Sequence, residues 1–154
     1  MKKSFLSIET SLNRIFLVLY CKKKLFSSDK LIENSIEVEI NKMFDEILIK
    51  GNTDFNKLDF IMVSLGPGSY TGTRVGLAAA KAIAISIGKP ILGYTNFDSV
   101  YRQGLIDGYI EKTSSAGVLI KANKNECYYQ KISKSKFYSS KVLKINSFKS
   151  KSFN

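Results

Sequence analysis

The sequence predicts an α/β fold built on a mixed sheet, antiparallel where the chain begins and parallel later, and three observations carry that expectation. Two strand-like runs, SFLSIE (4–9) and IFLVLYC (15–21), are separated only by the short polar segment TSLNR, so they pair as a hairpin. From residue 35 the apolar period changes from two to that of a helix. A nearly continuous apolar run, LDFIMVSL (58–65), then meets a glycine-rich turn, a helix and another strand, and that alternation requires parallel crossovers.

Each element has its own local grounds. KLFSS (24–28) follows the hairpin as a third antiparallel strand. In SIEVEINKMFDEILIK (35–50), Ile36, Ile40, Met43, Phe44 and Ile47 fall on one helical face. Ser35 suits the N-cap, Glu37 and Glu39 suit the positive first turn, and Gly51 is expected to end the helix. The run 58–65 reads as a strand buried on both faces. The helix behind the glycine turn is expected to start near Thr71 or Gly72 and to stop at Gly88-Lys89-Pro90, a glycine and proline termination. PILGY (90–94) is the next strand, and in TNFD (95–98) the threonine caps a further helix. AGVLIKA (116–122) and CYYQKIS (127–133) are again strand-like around the turn NKNE, whereas the Lys- and Ser-rich remainder shows no clear continuation. Two domains are therefore expected, an N-terminal lobe over 1–107 and an incomplete C-terminal lobe with a basic tail over 108–154.

Composition narrows the chemistry. The chain has 154 residues and no histidine, which removes Ser/His/Asp and Cys/His arrangements and any zinc site relying on imidazole from what these residues can do. Cys21 and Cys127 form no CxxC pair and read as core thiols of a reducing, cytoplasmic protein. The first twenty residues are broken by Glu9, Asn13 and Arg14, too polar for a secretory h-region. No apolar run approaches a membrane span. Charge is uneven: residues 1–120 hold 15 basic and 12 acidic residues, and residues 121–154 hold nine lysines and one glutamate. That tail, with Tyr128, Tyr129, Phe137, Tyr138, Phe148 and Phe153 interleaved, has the composition of an RNA-binding segment. Lysine and asparagine are common throughout, which equally suits solvated positions.

The glycine turn SLGPGSYTGTRVGL (64–77) converges backbone N–H groups on a helix N-terminus, an anion-site geometry. Its spacing matches neither the P-loop nor the dinucleotide fingerprint. Glu9, Thr10 and Ser11 of the first hairpin, with Gly68, Ser69 and Thr71, are the residues such a site would use for an anion or nucleotide. On the helix, Gly72, Gly76, Ala79, Ala80, Ile83 and Ile87 share one face, and the charged arc holds Arg74 and Lys81. A helix this apolar needs cover on most sides. Either the helix of 35–50 supplies it, or both helices share an exposed apolar surface that makes a dimer.

The segments SFLSIETS, VSLGPGSYTGTRVGLAAAKAIA, KPILGYTNFDSV and VLIKANKNECYYQ stand in the order and at about the spacing of the TsaB family, whose members serve tRNA threonylcarbamoyladenosine biosynthesis. The Gly-Pro-Gly-Ser-aromatic-Thr-Gly-x-Arg-x-Gly-Leu segment is the most specific part. The resemblance implies a ribonuclease-H-like, actin-like (ASKHA) lobe with a mixed five-stranded sheet and flanking helices, and a second lobe longer than the residues after Gly108 provide, so that a truncated second lobe is expected here. It implies a subunit that is not itself an enzyme, with no catalytic residue, no metal and no cofactor of its own. Its partners would be a TsaD-like catalytic subunit and a TsaE-like ATPase, it would form a homodimer when alone, and it would meet tRNA only through the complex, away from any membrane. The family's contact helices map onto Ile36, Ile40, Met43, Phe44, Ile47, Gly72, Gly76, Ala79, Ala80, Ile83 and Ile87. The catalytic relative holds its metal through histidines, which this chain lacks. Two departures stand out: Lys121-Ala122-Asn123 replaces the family's Asp-Ala-Arg, and a shortened lobe would leave Tyr128 and Tyr129 short of packing partners. The alternative is an ASKHA-type nucleotide-binding enzyme using the first hairpin and the Gly-Pro-Gly turn.

Overall fold

The computed structural model describes residues 3–33 and 35–147. Their order is β1 (Phe5–Glu9), β2 (Arg14–Cys21), β3 (Lys24–Leu31), α1 (Ile36–Gly51), a 3₁₀ turn at Phe55–Lys57, β4 (Phe60–Ser64), α2 (Tyr70–Ile87), β5 (Ile91–Tyr94), α3 (Asn96–Ile106), β6 (Ser115–Lys121), β7 (Glu126–Ser133), β8 (Lys136–Phe137) and β9 (Lys141–Lys144). The chain divides into two compact units, 1–94 and 95–154.

In the first unit the five strands run in the order β3-β2-β1-β4-β5, with β1–β2 and β2–β3 antiparallel and β1–β4 and β4–β5 parallel. This is the expected mixed five-stranded sheet. Alternation along the strands sends Leu6, Ile8, Ile15, Leu17, Leu19, Ile61 and Val63 to one buried face, where α1 and α2 cover them. The opposite face carries Phe5 at the centre of an aromatic row, its ring 5.7 Å from Tyr20 and 5.2 Å from Phe60.

Helix α1 ends by a different device from the one its sequence suggests. Gly51 is still helical, and Asn52 takes the left-handed cap at φ 45°. The glycine is there for contact: a Cβ on it would stand 2.6 Å from Leu19 Cδ2. Ser35 is the N-cap residue, but its hydroxyl goes to Glu37 at 2.6 Å instead of closing the helix backbone. Glu39 is buried and ion-paired with Lys30 of β3. Helix α2 stops as the sequence predicts, with Gly88 in the left-handed cap at φ 65°.

In the second unit β7 pairs with β6 on one side and with β8 and β9 on the other. Phe97 and Tyr101 of α3 close one face together with Val118, Ile120 and Ile132. The unit boundary consequently falls at Tyr94–Thr95 and not after residue 107, since the apolar face of α3 belongs to the second core. Thr95 caps α3 as expected, accepting from the Asp98 amide at 3.1 Å. The lysine-rich remainder forms β8 and β9, which its sequence hides because edge strands paired on one side need no apolar alternation. Tyr128 packs against the second core and Tyr129 lies over Gly117, so both have partners. Phe148 and Phe153 lie outside the described residues. Both cysteines are buried free thiols, and among the described residues no helix is long and apolar enough to cross a membrane.

Candidate functional site

Strand β1 ends in the turn Glu9-Thr10-Ser11, and the loop after β4 brings Gly66 to Ser69 against it. Ser69 donates its amide to the Ser11 carbonyl at 2.6 Å, and Thr10 donates its hydroxyl to the Gly72 carbonyl at 2.7 Å. The Gly66–Pro67 bond is cis and Gly66 sits at φ 82°, with its amide on Ser64 Oγ at 3.1 Å. Ser69 is the N-cap of α2, its Oγ accepting from the Gly72 amide at 3.2 Å, so the helix begins at Tyr70, just before the expected Thr71 or Gly72.

The glycines of this segment are set by proximity. A Cβ on Gly68 would lie 2.2 Å from the Ser11 carbonyl oxygen, one on Gly72 2.1 Å from the Thr10 carbonyl oxygen, and one on Gly76 2.3 Å from Thr10 Oγ1. Helix α2 is therefore seated directly on the backbone of the β1 turn. The small-residue row Gly72, Gly76, Ala80 and Ala84 is its inward face.

The six residues expected to hold an anion are thus brought together, Glu9, Thr10, Ser11, Gly68 and Ser69 in one contact and Thr71 exposed beside them. The donors of Thr10 and Ser11 and the Ser69 amide are already used. Thr10 and Ser69 bind as described, and the Ser11 amide and hydroxyl both donate to Glu9 Oε1, the hydroxyl at 2.6 Å. Glu9 is 7% exposed and its Oε2 is buried without a hydrogen-bond partner among the described residues. The buried Glu9 carboxyl, with an unpartnered oxygen, places an acceptor where a phosphate requires donors. The nucleotide phosphate that the actin-like fold implies does not fit these residues, so no step is assigned to one. Glu9 also acts on its surroundings: burial first, with the Glu9 charge adding to it, pushes the Tyr94 phenol up, against the hydrogen bond from Ser7 Oγ at 3.2 Å.

A cleft of 310 Å³ opens beside this turn, lined by Asn13, Ile32, Ser35, Ile36, Glu37, Ser69, Thr71 and Gly72. It receives the N-termini of both α1 and α2. Glu37 stands at its rim as an anion, its carboxyl held below the usual range by the Ser35 hydroxyl and then by its own backbone amide.

The residues expected to form a partner interface are placed differently from the sequence expectation. Ile36, Ile40, Met43, Phe44 and Ile47 are buried in the core of the first unit, as are Gly72, Gly76 and Ala80, while Ala79, Ile83 and Ile87 pack against that core part-buried. Side chains filling the chain's own interior are not available to another protein. The helix faces that are available are the outer ones: Val38 and Ile49 on α1, and Tyr70, Thr71, Arg74, Ala78, Lys81, Ala82 and Ile85 on α2. Tyr70 is 69% exposed and Ile85 81%. Arg74 lies over the Tyr70 ring, 3.9 Å from its centroid, which holds both side chains in place. The charged arc of Arg74 and Lys81 already marked this side in the sequence, since charges on an apolar helix point to water.

Among families of known proteins, the model described as "TsaD: tRNA N6-adenosine threonylcarbamoyltransferase" matches residues 31–144. The tRNA threonylcarbamoyladenosine biosynthesis protein TsaB of Buchnera aphidicola subsp. Acyrthosiphon pisum is 27% identical over 136 residues, which cover 88% of this chain and 60% of that protein. The YeaZ structure from Pseudomonas aeruginosa superposes with a TM-score of 0.78 at 18% identity, covering 92% of this chain and 68% of that one. A Bacteroides thetaiotaomicron protein with an actin-like ATPase fold superposes at a TM-score of 0.50 and 9% identity over 93% of this chain and 70% of that one, a likeness of fold alone. The chain spans 41 to 60% of the length of the TsaB relatives it matches.

Proposed function

This chain is a TsaB/YeaZ member of the TsaD family, and from that premise we propose that it is a non-catalytic partner subunit of the machinery making threonylcarbamoyladenosine at position 37 of tRNA. It pairs with a TsaD-like catalytic subunit, works beside a TsaE-like ATPase, and uses the same surface for a homodimer when the partner is absent. The observation that carries the reading is the two-sided use of α2. Its inner face is locked by glycines onto the β1 turn, and its outer face presents Tyr70, Arg74, Ala78, Ala82 and Ile85 in a line at helical spacing. Tyrosine and arginine are the residue types enriched at protein contacts, and small alanines between them let another helix approach. Val38 and Ile49 of the neighbouring α1, 54% and 77% exposed, extend the apolar surface.

A chain without histidine is suited to supporting a metal-bearing partner and not to replacing it. The spent donors of the Glu9–Ser69 turn fit the same division of labour, since they build a rigid seat for α2. The experiment is co-purification with the cognate catalytic subunit. The native chain is expected to co-elute with it, and Ala78→Glu with Ile85→Glu to weaken pairing at least about tenfold by burying charge in the contact. Undiminished co-elution of that double variant would remove the α2 face from the reading.

A further inference from the structure

We propose that the exposed face of the second unit's sheet is an RNA-contact surface, in which lysines hold phosphates and tyrosine rings offer stacking platforms. The inference deepens the reading above, because it gives this chain its own contact with the tRNA.

Strand pairing assigns the residues to the face. Leu119 is opposite Tyr129, Lys121 opposite Cys127 and Gly117 opposite Lys131. Lys136 is opposite Ser133 in β8, and Lys141 opposite Tyr129 in β9. Residues paired directly across strands share a face, so Lys121, Lys131, Lys136 and Lys141 stand together with Tyr129, on the side away from the apolar cluster of Val118, Ile120 and Ile132. All four lysines are exposed. None of the four is in a salt bridge among the described residues. The nearest strand acid, Glu126, is opposite Lys144 on the other face and accepts from Asn123 at 2.8 Å. Asp98 is occupied by Arg102 at 2.9 Å on α3.

The rings are placed for the same use. Gly117 lets Tyr129 lie across the sheet, since a Cβ there would come within 2.8 Å of the ring. Lys141 Nζ stands 5.6 Å from the Tyr129 centroid, and Lys131 and Lys136 each stand 5.8 Å from that of Tyr138. A β-sheet carrying cations between flat aromatic rings matches how single-stranded RNA is held, by phosphate contacts and base stacking. A membrane would call for a cluster of apolar side chains to insert, and on this face Leu119 is the exposed large aliphatic.

The test is fluorescence anisotropy of the full chain with an unmodified tRNA transcript and with a single-stranded uridine oligonucleotide, across a range of salt. Lys131→Gln with Lys141→Gln is expected to weaken binding about tenfold or more and to reduce the slope of log affinity against log salt by about 2. The control Lys23→Gln with Lys112→Gln removes the same charge from residues outside these strands and is expected to cost less than about threefold. Tyr138→Ala is expected to weaken the oligonucleotide more than an RNA duplex. Equal losses in the two double variants, absence of salt-dependent binding by the native chain, or binding to anionic vesicles as strong as to RNA would each overturn the proposal. Thermal midpoints confirm that the surface variants fold. Co-elution with the catalytic subunit is read separately: its loss with RNA binding intact sinks the subunit reading and leaves this surface standing.

Discussion

The two units each back a sheet with helix on one side, yet they differ in what the sheet supports. In the first, Leu6, Ile8, Ile15, Leu17, Leu19, Ile47, Leu58, Ile61 and Val63 are all completely or almost completely buried, whereas among the described residues of the second only Ile132 joins that class. The first unit spends its interior on fixing two helices to a sheet, and its proposed contact surface is on the outer faces of those helices. The second has a thin core, and its proposed contact surface is the sheet face itself. The lesson is that an apolar, glycine-rich helix face need not be a contact surface. Where a Cβ on its glycines would come within 2.1 to 2.3 Å of the Thr10 carbonyl and hydroxyl oxygens, the face is structural, and the opposite one is left for partners.

The strongest way to break this comparison is to add atoms to the two faces of α2. Gly72→Ala drives a methyl into the Thr10 carbonyl, which is backbone and has nowhere to move. The expected loss is about 3 kcal/mol, at the upper end for overpacking. Ala78→Ser on the exposed side should change stability by less than about 0.5 kcal/mol. Urea unfolding of the two variants decides the matter: equal midpoints would mean that α2 is not seated as described.

Much of this was legible in the sequence. The succession of strands and helices, the mixed sheet and the end of α2 at Gly88 follow from period and from the special backbone of glycine. The faces of α1 and α2 were legible too, but not which face met the outside, because a helical wheel gives the width of an apolar stripe and not what lies against it. Gly51 illustrates the same limit. As a helix terminator it satisfies a local rule, yet its reason for being small is Leu19 on a strand 32 positions earlier in sequence. Strands β8 and β9 were invisible because Lys136, Lys141 and Lys144 give no alternation. Their lysines are what the exposed face needs, so the feature that hid the strands is the one tied to their proposed use. Glu9 could be located from sequence, but its enclosure by Ser11 and Oε2's lack of a partner could not.

An effect of comparable size separates the two cores. Ile47→Ala and Ile132→Ala each empty a site with no exposed surface, and each should cost about 2–5 kcal/mol in its own unit. Calorimetry is expected to resolve two transitions, with Ile47→Ala lowering one and Ile132→Ala the other. One transition lowered by both variants would join what the comparison divides.

The smallest expected effect is on acid stability, and it belongs to the first unit. Asp59 accepts from the Ser4 amide at 2.7 Å and from the Ser4 hydroxyl at 2.9 Å, and these bonds hold its carboxyl below the usual range. Asp54 is depressed by the bond from Lys57, 2.7 Å away, and Glu37 by the Ser35 hydroxyl. For a carboxylate whose folded pKa is depressed, the unfolded chain binds more protons near its ordinary value of about 4. The stabilisation is complete above that value and is lost as pH falls through it toward the folded pKa. The first unit's unfolding transition should therefore drop below about pH 4, and Asp59→Asn, which cannot titrate, should flatten the drop. Thermal unfolding between neutral and acid pH measures it, and because these groups are exposed, salt should shrink the effect as it screens them. A slope unchanged by Asp59→Asn would show that the strand-edge bond from Ser4 does not hold β1 to the start of β4 in solution.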